Sequence, residues 1–218
     1  IALDAAGRNL NVALCEKNDL GASTSSNSSK LIHGGLRYLE YYEFRLVKEA
    51  LEEREVLLRK APHIIWPLRF RLPHRSYLRP AWMVRAGLFI YDHLSKRKIL
   101  KGSRSIKFGA NSPIVDTIKK GFEYSDAWVD DARLVVLNAM AAGEKGAKIM
   151  TRTCCTSAQR KNGLWEAVLE DSLAGEKQTI IAKVIVNASG PWVTDFFETV
   201  LASPAPKKSR LIAGSHII

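Results

Sequence analysis

Apolar residues recur along the chain at two spacings, which predict helices and strands in alternation. The clearest helix covers 42–60, where Phe44, Val47, Leu51 and Leu58 fall on one face. Further helices are predicted at 1–8, at 80–94, after a cap at Asp130 or Asp131, and at 193–200. Strands are predicted at 10–15, 64–72, 122–128, 147–154, 164–170 and 178–186. This alternation favours an α/β fold.

Turn-forming residues refine the pattern between these elements. Pro67 and Pro73 restrict the strand at 64–72 to the edge of a sheet. A turn near Ala174-Gly175 predicts a β-hairpin between the strands on either side of it. The stretch 102–120 is polar and is expected to be irregular.

Two strand ends suggest ligand binding. The pattern of a helix at 1–8 and a strand at 10–15 that ends at Glu16 matches the second half of a dinucleotide-binding βαβ unit. In such a unit an acidic residue at this position binds the adenosine ribose. The Gly-rich turn of such a unit would lie before Ile1. The all-apolar 184–186 predicts a buried central strand, and the small residues that follow in 187–192 would let a ligand approach the backbone. An ordinary strand-to-helix turn also fits 187–192.

The stretch 23–39 is not explained by packing alone. It begins with hydroxyl side chains and then brings Lys30, His33, a glycine pair, Arg37 and Tyr38 into a short span. Hydroxyls offer hydrogen bonds, and glycines let the backbone come close to a ligand. A loop that wraps an anionic cofactor is favoured over a serine-rich loop entering a helix.

Composition and charge narrow the class of protein. The 218 residues are 46% hydrophobic and 25% charged, as in a soluble globular protein, and no run of about 18 apolar residues predicts a transmembrane helix. The three cysteines form neither a disulfide framework nor a zinc motif, and they suggest a reducing compartment. The formal net charge is +11.

Most of the positive charge lies in one segment. Residues 66–107, the basic segment, contain eleven lysines and arginines opposed only by Asp92. Such a segment attracts polyanions, and the aromatic helix within it, 80–94, fits either a helix lying on a lipid surface or a core helix with outward-reaching arginines. Nucleic acid is disfavoured, because no known binding module accompanies the charge.

A set of motifs resembles one family. The first runs from Thr24-Ser25-Ser26 through 28–40, Ser-Ser-Lys-Leu-Ile-His-Gly-Gly-Leu-Arg-Tyr-Leu-Glu. Others stand at 44–47, 49–51, 69–74, 79–83, 91–94, 121–126, 128–134, 186–192 and 214–216. In this order they closely resemble the bacterial form of FAD-dependent glycerol-3-phosphate dehydrogenase, the quinone-linked respiratory type.

The resemblance implies an α/β fold: an incomplete FAD-binding Rossmann-like domain of the glutathione-reductase/D-amino-acid-oxidase type, with an inserted α+β substrate domain. The expected parts are 1–65 (FAD-binding), 66–120 (basic and aromatic, facing substrate or membrane), 121–205 (FAD-binding, continued) and 206–218 (start of the substrate-domain sheet). Because the family's Gly-rich turn and second half are missing, the chain is expected to be an internal fragment that is inactive alone.

The resemblance also implies a reaction. The family oxidises sn-glycerol 3-phosphate to dihydroxyacetone phosphate, with hydride passing to FAD N5 and electrons then to a membrane quinone. A cytoplasmic protein, peripheral on an anionic lipid surface at the inner face of the cytoplasmic membrane, is therefore expected. A homodimer is compatible with the resemblance.

Residue roles follow from the matching motifs. Arg37 and Tyr38 would bind the substrate, with Arg37 as the phosphate anchor. His33 and His216 are the candidates for acid–base catalysis, because histidine can titrate near neutral pH. The implied cofactor-binding residues are Glu16, Thr24, Ser25, Ser26, Ser28, Ser29, Lys30, His33, Gly34, Gly35, Ala188, Ser189 and Gly190. No metal site is expected.

Three alternatives remain open at this point. A glycerol-3-phosphate oxidase would pass the electrons to oxygen. An amino-acid or amine oxidase of the same superfamily is more distant. A non-catalytic basic membrane-binding fragment would work by charge alone.

Overall fold

The computed structural model describes residues 1–109 and 112–207. The helices, in chain order, are α1 Ala2–Gly7, a 3-10 helix at Leu36–Tyr41, α2 Phe44–Lys60, α3 Ala81–His93, α4 Asp131–Glu144, a 3-10 turn at Gly190–Trp192, α5 Val193–Asp195 and a π-helical turn at Phe196–Val200. The strands are β1 Ala13–Cys15, β2 Leu31–Ile32, β3 Ile65–His74, β4 Arg104–Lys107, β5 Lys120–Val129, β6 Lys148–Met150, β7 Thr153–Lys161, β8 Leu164–Asp171 and β9 Lys177–Ala182.

The chain forms two compact units. One, called the outer unit after its place in the sequence, contains Ile1–Asn27 and the residues from Val135 onward. The other, the inner unit, is Ser28–Leu134. The assignment of domains made from the sequence stays a prediction.

The inner unit is built on an antiparallel sheet. β5 lies in its middle, with β3 paired along ten residues on one side and with β2 and β4 on the other. β3 pairs with β5 alone among the described strands, so the edge position predicted from Pro67 and Pro73 is confirmed. Helix α2 buries Val47 and Leu51 against Tyr91 of α3, which forms the main apolar cluster of this unit.

The outer unit combines a parallel strand pair with an antiparallel sheet. β1 and β6 are parallel. Beside them, the small side chains of Ala6, Ala142 and Ala147 pack together, and their size allows helix and strand to approach closely. β7, β8 and β9 form an antiparallel sheet, so the predicted hairpin is confirmed.

Several predicted elements differ from the structure. The stretch 102–120 contains β4, where Arg104 lies opposite Glu123 of β5, so pairing with a charged partner overrides its polar pattern. The strand predicted at 147–154 is broken at Arg152, whose φ is 51°, because β6 joins a parallel pair and β7 an antiparallel one.

The buried central strand predicted at 184–186 is wrong. β9 ends at Ala182, and the side chains of Val184 and Val186 are 71% and 57% exposed. Since a buried strand needs neighbours to satisfy its backbone groups, its apolar side chains alone do not make one. None of the nine described strands pairs with these residues.

The cap predicted for α4 is confirmed at Asp130, whose Oδ1 accepts a hydrogen bond from the Arg133 backbone N–H at 3.2 Å. Within the described ranges, no helix combines the length and apolar character needed to cross a bilayer.

Candidate functional site

The glycine pair of the inner unit forms a tight, buried turn. The Gly34 N–H donates to the Tyr91 hydroxyl at 2.8 Å and lies 3.4 Å from Asp126 Oδ1. A Cβ at Gly34 would lie 2.3 Å from Leu51 Cδ2, so the space that glycine leaves is filled by the protein. Gly35 has a φ of 70°, in the left-handed region that favours glycine. Packing and backbone conformation therefore require both glycines.

His33 is oriented by the same turn. Its Nδ1 accepts a hydrogen bond from the Gly35 N–H at 3.0 Å. In a neutral imidazole with Nδ1 as the acceptor, the proton is on Nε2. The exposed His33 ring thus presents an Nε2–H donor.

Arg37 and Tyr38 lie directly after this turn. They belong to the 3-10 helix Leu36–Tyr41, which the Tyr38 N–H starts by donating to Gly35 O at 2.8 Å. Both side chains are exposed, and within residues 1–109 and 112–207 the Arg37 guanidinium makes no ion pair. An exposed guanidinium that is not engaged by a carboxylate can bind a phosphate.

Hydrogen bonds to other residues of the protein hold the hydroxyl-rich loop in place. Ser28 Oγ donates to Asp131 Oδ2 and accepts from the Lys30 N–H. Lys30 has a φ of 59°, a strained value for a residue other than glycine, and its carbonyl accepts from the Val129 N–H at 2.9 Å. In the outer unit, Ser26 Oγ donates to Gly21 O. The cofactor roles predicted for this loop stay predictions.

A buried charged network supports the turn, and it was not predicted from the sequence. Arg54 and Asp126 are only 1% and 3% exposed and form an ion pair. Arg54 also donates to Ser125 O at 3.2 Å, and the Tyr91 hydroxyl donates to Asp126 Oδ1 at 2.8 Å. Burial, followed by the Asp126 charge, raises the pKa of Tyr91, so its hydroxyl stays protonated.

A signal for this network was present in the sequence. Arg54 follows Val47 by seven positions and Leu51 by three, so it lies on the apolar face of α2. A charged residue in that register needs a buried partner of opposite charge.

The basic segment is partly neutralised by carboxylates. Glu123 is buried and pairs with Arg69, Arg71 and Arg104. The hydrogen bond from Arg69 is the main cause that lowers the pKa of Glu123. Arg97 pairs with Asp92. The charge of this segment is therefore smaller at the surface than its composition suggests.

Helix α3 has apolar side chains on two faces. Leu88 and Tyr91 are buried, whereas Trp82 and Phe89 are 69% and 54% exposed. Ile90 is also exposed. The helix was interpreted from the sequence either as lying on a lipid surface or as a core helix. One face of it is buried in the core, and another face exposes apolar side chains.

In the outer unit, Glu16 directly follows β1, as the sequence predicts. One of its carboxylate oxygens accepts from the Asn18 N–H at 2.9 Å, and the second makes no hydrogen bond among the described residues. A free carboxylate oxygen at the end of a parallel strand fits the ribose of FAD. Ser189 bonds through its N–H and Oγ to Asn187 Oδ1, and Gly190 has a φ of 55°.

Ala188, beside them, is exposed. The cofactor contacts of 188–190 stay predictions. His216 lies outside the described residues. Across the described parts of the chain, no group of three or more His, Cys, Asp or Glu residues could hold a metal.

Two thiols of the outer unit are less acidic than an ordinary cysteine, as their pKa values show. Cys15, Cys154 and Cys155 are all free. Burial raises the pKa of Cys15, and it raises that of Cys155 to about 11. Since the thiolate is the nucleophile, these two residues do not suit nucleophilic catalysis.

The family is shown by comparison with known proteins. All of residues 1–218 match the model of the FAD dependent oxidoreductase family, and the chain belongs to that family. The predicted FAD-binding fold, the FAD cofactor and the oxidoreductase class are thereby confirmed.

Among its relatives are bacterial proteins named glycerol-3-phosphate dehydrogenase. The chain is 66% identical over 218 residues to one from Pseudomonas tolaasii and 61% identical to the aerobic enzyme of Escherichia coli K12. It is also 60% identical over 221 residues to a D-erythritol 1-phosphate dehydrogenase of Brucella abortus. Each match covers the whole chain but only 42% to 44% of the relative's length. The resemblance predicted from the motifs is confirmed.

Solved structures agree with this fold. A glycerol-3-phosphate dehydrogenase of Bacillus halodurans, complexed with FAD, matches 90% of this chain and 33% of its own with a TM-score of 0.61 and 29% identity. An L-alpha-glycerophosphate oxidase of Mycoplasma pneumoniae, with FAD bound, matches 91% of this chain and 53% of its own with a TM-score of 0.67 and 16% identity, which shows the fold alone.

Proposed function

We propose that this protein is a flavoprotein that oxidises sn-glycerol 3-phosphate to dihydroxyacetone phosphate. The observation that carries the proposal is the exposed Arg37, which makes no ion pair among the described residues and lies in the 3-10 helix after the glycine turn. The chain that carries it is 61% to 66% identical to enzymes named for this substrate. When bound, FAD takes up hydride at N5.

The residues of this chain would divide the remaining work. Arg37 would bind the substrate phosphate through two parallel N–H groups, and Tyr38 would contact the same substrate. His33 would present its Nε2–H to an electron-rich oxygen of substrate or cofactor. Lys30 and the serines around it would hold the anionic part of the cofactor, and Glu16 would bind its ribose.

A longer polyol phosphate is the second candidate substrate. Its support is the 60% identity to an enzyme named for D-erythritol 1-phosphate, nearly as high as that to the glycerol-3-phosphate enzymes. An arginine that binds phosphate serves either substrate, so Arg37 does not discriminate between them. The shared substrate class is a phosphorylated polyol with an oxidisable secondary alcohol.

The test is a substrate comparison with the full-length protein loaded with FAD. Each polyol phosphate is supplied in turn, and reduction of a quinone analogue is followed beside hydrogen peroxide formation. The proposal expects glycerol 3-phosphate to give the higher kcat/KM, with electrons passing to the quinone analogue. Preference for erythritol 1-phosphate would select the second candidate, and stoichiometric peroxide would select an oxidase.

The electron acceptor and location are part of the same proposal. A membrane quinone requires contact with the bilayer, and the exposed face of α3, with Trp82 and Phe89, offers an apolar surface. The lysines of the basic segment all follow α3 in the sequence and would attract anionic headgroups on the cytoplasmic side.

Liposome co-sedimentation tests this placement. Binding should rise with the fraction of anionic lipid, fall with salt, and weaken in Trp82→Ala/Phe89→Ala. Binding that ignores salt, acidic lipid and both substitutions would contradict it.

A further inference from the structure

The Gly34 N–H is held from within the core of the inner unit. Its partner is the Tyr91 hydroxyl, 2.8 Å away, and Tyr91 is fully buried. Because Tyr91 donates its own proton to Asp126 Oδ1, a lone pair of its oxygen faces Gly34. The turn is thus fixed by a hydrogen bond of defined direction.

Asp126 is in turn fixed by Arg54. The two form a buried ion pair, and Arg54 is anchored by a second bond to Ser125 O. A buried carboxylate without such a partner would be costly, so Arg54 holds Asp126 in its position. Arg54, Asp126 and Tyr91, here called the buried relay, therefore act as one chain of hydrogen bonds that ends at Gly34.

The turn transmits its position to Arg37 over three residues. Gly35 begins the 3-10 helix that carries Arg37, and Leu36 and Leu39 of this helix pack against the cluster that contains Tyr91. Only Gly35 and Leu36 separate Gly34 from Arg37, so few soft dihedrals lie between them, and Leu36 packs against the same cluster as Tyr91. A shift at Gly34 would therefore move the guanidinium.

We propose that the buried relay is a positioning device for Arg37, so that Tyr91 and Asp126 set phosphate affinity without touching the substrate. This inference rests on the proposed function, because it takes Arg37 as the phosphate anchor. It adds residues that lie beneath the site, on α2, α3 and β5, to those that form it.

The test is a double-mutant cycle in the full-length, FAD-loaded protein. The wild type, Tyr91→Phe, Arg37→Ala and the double variant are compared for KM, kcat and FAD content. Tyr91→Phe removes one hydroxyl and should raise KM by up to about tenfold, because the energy of one lost hydrogen bond limits the effect on substrate binding, with little change in kcat. In the Arg37→Ala background the same substitution should change KM less than about twofold.

Tyr124→Phe is the matched control. Its ring packs edge-on against Tyr91 at 6.2 Å, and its hydroxyl makes no hydrogen bond among the described residues. It should leave KM unchanged. Titration with dihydroxyacetone phosphate, followed by flavin absorbance, gives a readout without turnover and should show the same weakening in Tyr91→Phe.

The outcomes separate the two proposals. If the wild type oxidises neither polyol phosphate, the proposed function fails. If it is active but Tyr91→Phe raises KM equally in both backgrounds, or leaves it unchanged, the positioning role is wrong. Loss of FAD or of folding in Tyr91→Phe would likewise overturn it, because the relay would then support the fold as a whole.

Discussion

Replacing Gly34 by alanine should destabilise the protein, because the added methyl group would clash with buried side chains that pack against the turn. The added Cβ would lie 2.3 Å from Leu51 Cδ2 and 2.7 Å from the Tyr91 hydroxyl oxygen. Both neighbours are buried, so neither side chain can swing into solvent. Overpacking of this kind costs roughly 1–3 kcal/mol.

The hydrogen bond between Gly34 and Tyr91 adds to that cost. If Tyr91 is displaced, the bond is lost, which removes about 1 kcal/mol more. Together these effects should lower the free energy of unfolding by about 3 kcal/mol. Gly87→Ala is the control, because no atom lies within 4 Å of its added Cβ and it sits in α3. That change should be neutral or stabilise by up to about 1 kcal/mol.

Urea denaturation with and without added FAD, followed by circular dichroism, measures both variants. The midpoint should fall for Gly34→Ala and hold or rise for Gly87→Ala, with the slope unchanged. A midpoint that falls in Gly34→Ala only when FAD is present would contradict this prediction. That result would mean that the glycine makes room for the cofactor.

Two further predictions concern charge and proton position. Glu123→Gln should lower stability at neutral pH, because the lowered pKa of Glu123 means that its ionised form stabilises the fold; urea midpoints should show the difference from wild type shrinking as pH falls below about 4. A difference in urea midpoint that is the same at neutral pH and below about pH 4 would contradict this prediction. His33→Asn keeps an oxygen that can accept from the Gly35 N–H but loses the Nε2 donor, so kcat should fall about 100-fold while FAD content is kept. Unchanged kcat would exclude His33 from the chemistry.

Helices were predicted correctly where their own apolar spacing or a capping residue at their start determines them. The face of Val47, Leu51 and Leu58 predicts α2, and Asp130 predicts the start of α4, because spacing and capping act within a few residues. The motif around Arg37 likewise led to the family.

Tertiary pairing decided the elements that were missed. β4 is short and charged, and it is a strand because β5 lies beside it. Val184 shows the reverse case, since this apolar run pairs with no described strand and stays exposed. The buried relay joins residues that are far apart in sequence, such as Arg54 and Asp126, so periodicity flags Arg54 but cannot name its partner.

The role of Arg37 is tested most directly by the kinetics of Arg37→Ala beside Arg45→Ala in the full-length enzyme. Arg45 is an exposed arginine whose one ion pair among the described residues is with Glu49 on the surface of α2, and such pairs contribute little. The account predicts that Arg37→Ala lowers kcat/KM for glycerol 3-phosphate about 100-fold or more, the loss of a charge-assisted phosphate contact, whereas Arg45→Ala stays within about twofold. Equal activity of Arg37→Ala and Arg45→Ala would contradict it.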